Sequence, residues 1–340
     1  MKPVPFIAEN ADAALKQIHE QLGETAVVLS VRKLPSNGLS RLLHRPGQIE
    51  VMACVPEEQP ARKVHDVPQG QDAYSPFGDI GELEAPLMIR APRAWRSISW
   101  LESLGLLPQL ADRLEEKVRT LHGEDPPLMP ITEWAFVRKA LAGFWHAPPE
   151  IERGRGRPHV FIGPPGSGKT TLLCKWLTKS ILSEDASAHV WRLDGASANM
   201  AEFLTLHCEM LNVPLERFWT PTTQLEDFLF IDLPGTEAHD PQALTALREQ
   251  LATLPQPHIH LVLNAAYDTT ILFEQFNAFA AFKPEDLIFT HLDEERHRVK
   301  LWNFVLGTNC ALSFLSGGQK IPGEFHRANS LLLFPSDKCR

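Results

Sequence analysis

Gly163-Pro-Pro-Gly-Ser-Gly-Lys169-Thr170 stands between an apolar run, His159 to Ile162, and a helical run, Thr171 to Leu182. A glycine-rich turn that joins a strand to a helix and closes on Lys-Thr leaves few folds open. The glycines let successive backbone N–H groups converge on a phosphate at the helix N-terminus, where the helix dipole also favours negative charge. Gly163, Pro164, Pro165, Gly166, Ser167, Gly168, Lys169, Thr170 and Thr171 are therefore the candidate phosphate-binding residues. In this pattern Lys169 reaches the β/γ-phosphates and the Thr170 hydroxyl is the first candidate ligand for Mg²⁺.

From residue 158 onward the same alternation continues. Ala188 to Leu193, Phe228 to Ile231, Ile259 to Leu263, Leu287 to Phe289 and Ala311 to Leu315 read as strands separated by helical segments. This predicts an α/β fold, a P-loop NTPase with a mainly parallel sheet and helices on both faces, over residues 151–330. Residues 331–340 remain as a tail. Upstream, Trp95 to His146 has helical periodicity broken at Pro108, Gly123 and Pro126 to Pro130, so 95–150 is expected to be a helical bundle. Residues 1–55 read as a small α+β module: a strand over Pro3 to Ala8, a helix capped by Asn10, and strands over Ala26 to Val31 and Gln48 to Val55. Between them, prolines at 56, 60, 68, 76, 86 and 92 mark 56–94 as a linker.

Composition narrows the function classes. At 340 residues, 44% hydrophobic and 22% charged, the chain has material for large cores, and wholesale disorder is not expected. A net charge of −9 gives it no overall affinity for nucleic acid or anionic lipid. No apolar run approaches the roughly 20 residues of a membrane span, and Met1 to Asn10 lacks a signal-peptide pattern, so a cytosolic protein is expected. The 5 cysteines are scattered without a CxxC pair, and the 14 histidines show no metal-ligand spacing. Trp134, Trp145, Trp176 and Trp191 read as core residues, and His207 as a helix residue.

Three further stretches end strands. Phe228 to Ile231 runs into Asp232-Leu-Pro-Gly235, which supplies a second Mg²⁺ ligand, the carboxylate of Asp232, and a backbone N–H for the γ-phosphate at Gly235. Leu287 to Phe289 runs into Thr290-His291-Leu-Asp293. Ser316-Gly317-Gly318-Gln319 follows the last strand, where a loop commonly closes over a base.

These motifs, in this order and spacing, resemble the signal-recognition-particle type of GTPase, and within it the flagellar-biosynthesis branch, whose amino-terminal module the opening FIAENADAALKQIHEQLGETAVVLSVRK resembles. The resemblance implies that GTP or GDP is the cofactor with Mg²⁺, held by Thr170 and Asp232. It further implies that Lys169, Asp194, Asp232 and Gly235 serve catalysis, that Asp293 selects guanine, and that His291 and residues 316–319 line the base. It gives residues 95–146 the role of the family's N domain. No methionine-rich tail is read, so no signal-sequence-binding domain is expected.

The departures cluster on chemistry. From Asp194 to Pro214 the family's insertion-box motif is degraded: Ser197 replaces its arginine, Gly195 its threonine and Phe203 its glutamine. Thr236 stands where a second arginine is usual, His291 replaces a lysine, and Leu215 to Asp227 is short for the helix normally there. The reading is a GTP-binding protein of flagellar assembly or placement, or of membrane-protein targeting, peripheral at the inner face of the membrane. Turnover is expected to be low. Its implied partners are a second copy in a GTP-dependent homodimer and flagellar export or membrane-targeting proteins; nucleic acid is not among them. The alternatives are a catalytically weakened scaffold and, less favoured, an ATP-using P-loop protein.

Overall fold

The computed structural model describes residues 4–8, 13, 16–17, 21, 27–33, 49–54, 93–151, 153–154, 156–194, 202–220 and 226–334. The chain divides into two compact units, Met1–Ala73 and Tyr74–Arg340. In the first, β1 (Val4–Ala8), β2 (Val27–Lys33) and β3 (Ile49–Cys54) form an antiparallel sheet in the order β1-β3-β2. Alternation places Phe6 in the interior. Ala13, Lys16, Gln17 and Gln21 are helical, as the period predicts; the rest of that expected helix, with its Asn10 cap, lies outside the described residues. So does most of the proline-rich stretch, 56–92.

The described residues of the second unit begin with three helices, α1 (Arg96–Ser103), α2 (Pro108–His122) and α3 (Pro130–Ala142). Proline opens α2 and α3 because the first helical N–H needs no partner there. One face of each is buried, through Ile98 and Leu101, Leu110, Leu114 and Val118, and Val137 and Leu141. Arg93 fastens α1 to α2, with Nε 2.9 Å from Glu102 and Nη1 2.6 Å from Glu115. Trp134 and Trp145 flank this core half-buried rather than lying inside it, because each sits toward the end of an amphipathic stretch.

An eight-stranded sheet follows. Its strands are β4 (His159–Ile162), β5 (Ala188–Arg192), β6 (Leu215–Glu216), β7 (Phe228–Asp232), β8 (His258–Asn264), β9 (Asp286–Thr290), β10 (Ala311–Gly317) and β11 (Glu324–Arg327), ordered β11-β10-β9-β8-β4-β7-β5-β6. All pairs are parallel except β10 with β11. Strand alternation sorts the core into two layers. Val160, Ile162, Leu229, Ile231, Leu261, Leu263, Leu287 and Phe289 face α6 (Pro241–Ala252), α7 (Thr269–Ala280) and the helical bundle; Phe161, Phe228, Phe230, Val262 and Ile288 face α4 (Lys169–Glu184) and α5 (Glu202–Met210). The short α8 (Trp302–Gly307) joins bundle to sheet: Asn303, fully buried, accepts from the Leu107 N–H at 2.8 Å and donates to Gly105 O at 2.8 Å.

Two expectations change. Leu215–Glu216 is an edge strand, so the stretch read as a shortened helix begins in the sheet. Ser316 and Gly317 belong to β10 itself, which extends past Leu315 because β11 pairs with it there. Cys174, Cys208 and Cys310 are buried free thiols, and burial pushes that of Cys310 up to about 11. His207 lies on α5 as expected, 2.8 Å from Thr178 Oγ1.

Candidate functional site

A parallel sheet gathers the loops after its strands at one edge, and here three strand ends converge on the N-terminus of α4. Gly168 caps that helix in the left-handed region, φ 81°, which glycine adopts without strain. Behind the loop, Gly163 touches the β8 backbone: an added Cβ would lie 2.3 Å from Val262 O. In front, Gly235 lies against Pro165, where a Cβ would fall 2.4 Å from its Cα, and Thr236 N–H donates to Gly163 O at 3.1 Å. The segment after β7 is thus pressed onto the glycine-rich turn. Thr290 Oγ1–H ties the other side, donating to Ser167 O at 2.7 Å.

Lys169 is buried and folded back on its own loop, donating to Gly163 O at 3.0 Å and Pro164 O at 2.8 Å. Burial lowers its pKa to about 8, against the opposing pull of Asp232. Thr170 Oγ1–H donates to Asp232 Oδ2 at 2.9 Å. The other Asp232 oxygen is buried with no hydrogen-bond partner, and burial raises this carboxyl above its ordinary value despite the Thr170 bond.

Two adjoining cavities open here. Gly166, Lys169, Thr170, Asp232, Leu233, Pro234 and Gly235 line the first; Lys175, Thr290, Asp293, Glu294, Ser316 and Gly318 line the second; Gly168, Thr171, His291 and Gln319 line both. The two are one crevice with His291 at its waist, its Nδ1 2.8 Å from Thr290 Oγ1. Asp293 is exposed, and the Gly318 N–H bond to its Oδ1 holds its carboxyl below the usual value. Gly163, Pro164, Pro165, Ser167 and Gly317 form the crevice's supporting layer rather than its lining. Asp194 also stands behind the wall: Arg192 Nε reaches its Oδ2 at 2.8 Å, and Arg217 reaches both oxygens at 3.0 and 3.1 Å. Gly195 and Ser197 lie outside the described residues.

Sequence reasoning missed Lys175 and Arg192. The Lys175 ammonium is buried beneath the closing loop, donating to Gly317 O and Gly318 O at 2.6 Å each. A lysine in mid-helix reads as a solvent face, so periodicity gave no signal for it. Arg192 lines the Lys169 side of the crevice because its register partner on β7 is Asp232.

The histidine reading is corrected at the opposite end of the strands. His159, His258 and His260 come together in the interior with Asp286, although their spacing follows no metal-ligand pattern, because β4, β8 and β9 are neighbours. Burial holds His159 and His260 below the usual imidazole range. Asp286 is held below the carboxylate range although burial opposes this, because His258 and His260 donate to it.

Comparison with known proteins agrees with this architecture. No family model matches the chain. The flagellar biosynthesis protein FlhF of Bacillus subtilis is 23% identical over 359 residues, covering 97% of this chain and 98% of that protein. A crystal structure of FlhF complexed with GMPPNP and Mg²⁺ superposes with a TM-score of 0.62 at 20% identity, over 71% of this chain and 99% of the other. The signal recognition particle receptor FtsY from Elizabethkingia anophelis, in complex with GDP, gives a TM-score of 0.55 at 16% identity, over 69% and 81%. The fold is that of signal-recognition-particle type GTPases, and the sequence is similar to FlhF along nearly its whole length.

Proposed function

We propose that this chain is a GTP-binding protein of the signal-recognition-particle type acting in flagellar assembly or placement, with slow intrinsic turnover. The observation that carries the reading is the single crevice joining the phosphate-binding turn to Asp293 through Gly168, Thr171, His291 and Gln319. The name of its relatives, and the GMPPNP and Mg²⁺ held by a solved FlhF, support it.

The residues present fit a magnesium ion. Asp232 offers a buried oxygen without a partner, and Thr170 Oγ1 lies beside the other; oxygen donors of this kind suit a hard cation. Held there, Mg²⁺ would supply positive charge to offset that of the phosphates. Lys169 would exchange the carbonyls of Gly163 and Pro164 for phosphate oxygens, regaining for its charge what burial costs it. The N–H groups of the turn and of Gly235 would orient the phosphates. Asp293, at the far end of the crevice, would accept from the two N–H donors on the guanine edge, which adenine does not present.

Turnover is another matter. Ser197 and Thr236 replace arginines of the family, and Arg192 and Arg217, which approach this region among the described residues, pair with Asp194. An arginine directed at the transferring phosphoryl group is worth about 10³–10⁵ in rate. Single-turnover hydrolysis is therefore expected to be slow and GTP-dependent dimerisation weak, while Ser197→Arg raises one or both. Rapid wild-type hydrolysis with a tight dimer in a non-hydrolysable analogue would reject slow turnover; hydrolysis that stays absent in both proteins would favour the scaffold alternative. Flagellar export or membrane-targeting proteins are the partners proposed, at the inner face of the membrane. Among the described residues no helix is long and apolar enough to cross it.

A further inference from the structure

His159 opens β4, His258 and His260 begin β8, and Asp286 opens β9, all at the strand ends remote from the crevice. Register makes the cluster: His159 pairs with His258, and His260 with Asp286, so all four side chains project from one face toward Trp176. We propose that His159, His258 and His260 bind one divalent transition-metal ion of the zinc class, oriented by Asp286.

The geometry supports this in three ways. One ring nitrogen from each histidine lies within 4.8 Å of the others. His159 Nδ1 and His260 Nε2 are already 3.0 Å apart, against the roughly 3.3 Å that two 2.0–2.1 Å zinc–nitrogen bonds subtend in a tetrahedron; His258, stacked 4.4 Å from His260 with its Nδ1 3.7 Å from Glu285, has to turn its ring to bring that nitrogen to the ion. Second, Asp286 supplies the outer partner that metal-bound histidines characteristically have. Its Oδ1 accepts from His260 Nδ1 at 2.8 Å and its Oδ2 from His258 Nε2 at 2.9 Å, while Ser313 Oγ–H donates to it at 2.7 Å.

Those bonds fix the tautomers. An ionised carboxylate accepts only, so His260 Nδ1 and His258 Nε2 carry the protons, leaving lone pairs on His260 Nε2 and His258 Nδ1. His159 then donates from Nδ1 to His260 Nε2. On metal binding its proton passes to Nε2 and Nδ1 becomes a ligand, with no change of charge. Third, Phe161, Phe228 and Phe230 surround the group, and a buried all-nitrogen site suits zinc rather than magnesium.

The test uses the full chain, freed of metal with a chelator and titrated with Zn²⁺ alone. One zinc retained per chain is expected, with a rise in Tm of about 5–10 °C at a hundredfold excess over Kd. Cobalt in its place should give the visible absorption of a tetrahedral nitrogen site. His159→Phe, which substitutes one ring among others, should unfold cooperatively yet lose both the zinc and the Tm rise. A wild-type chain that retains no zinc, or a folded His159→Phe that retains as much, overturns the proposal.

Discussion

Lys169→Ala leaves the protein folded and without measurable affinity for GTP or GDP. The lysine is the cation that the phosphate-binding turn itself supplies, and its surroundings are built to hold it: it is buried, and its alkyl stem and ammonium fill the interior of the loop. Charge-assisted bonds to phosphate in such a site are worth about 1.5–3 kcal/mol each, so loss of two or three lowers affinity at least about a hundredfold. Equilibrium titration with labelled nucleotide reads this directly, and unchanged affinity would remove the phosphate-site assignment.

The same lysine gives a pH signature. Burial brings its pKa to about 8, below the unfolded value. Between about pH 8 and 10.5 the unfolded chain binds the extra proton, so the nucleotide-free protein gains stability as pH rises through that window. Phosphate reverses the preference by favouring the charged form. GTP binding therefore takes up a proton above pH 8, and affinity falls by up to about tenfold per pH unit there. In Lys169→Ala the gain in stability across that window is absent.

Asp232→Ala separates binding from its metal dependence. Asp232 Oδ1 is buried without a partner and Oδ2 is spent on Thr170. Removing the carboxylate frees Thr170 and deletes the anionic side of the proposed magnesium site. Wild-type affinity for GTP is expected to rise at least about tenfold when Mg²⁺ is added to metal-free solution, and the variant's to change little. The contribution of Thr170 is tested by the same titration, because a hydroxyl alone is a poor site for a hard cation. A variant that keeps the full magnesium response would move the metal to another carboxylate, with Asp194 excluded by the two arginines that occupy it.

How much of this was legible in the sequence follows from the range of the signals. The phosphate-binding turn, the central strands and the helices were readable because each is set by neighbours within a few residues: apolar alternation, a glycine at a positive φ, proline at a first helical turn. β11 was not, since Glu324-Phe-His-Arg327 buries Phe325 alone and becomes a strand only by pairing with β10. β6 is too short to carry a pattern. Lys175 was invisible because its burial depends on the carbonyls of Gly317 and Gly318, about 140 residues away in sequence. The histidine cluster was hidden for the same reason, as spacing rules describe ligands on one element and His159 joins His258 and His260 of β8 from the neighbouring strand β4. For Asp194 the motif carried the expectation of a catalytic role but gave no sign of its partners, Arg192 and Arg217, which engage both its oxygens.

The central claim is a guanine-nucleotide crevice running from Lys169 to Asp293, and competition between GTP and ATP for the wild-type chain in the presence of Mg²⁺ tests it most directly. Two hydrogen bonds to a carboxylate that adenine cannot replace set the preference for GTP at about a hundredfold or more. Asp293→Asn should abolish that preference while leaving the response to Lys169→Ala intact. Equal displacement by ATP and GTP from the wild-type protein would contradict the account, leaving a phosphate site without a base site and the chain an ATP-using P-loop protein.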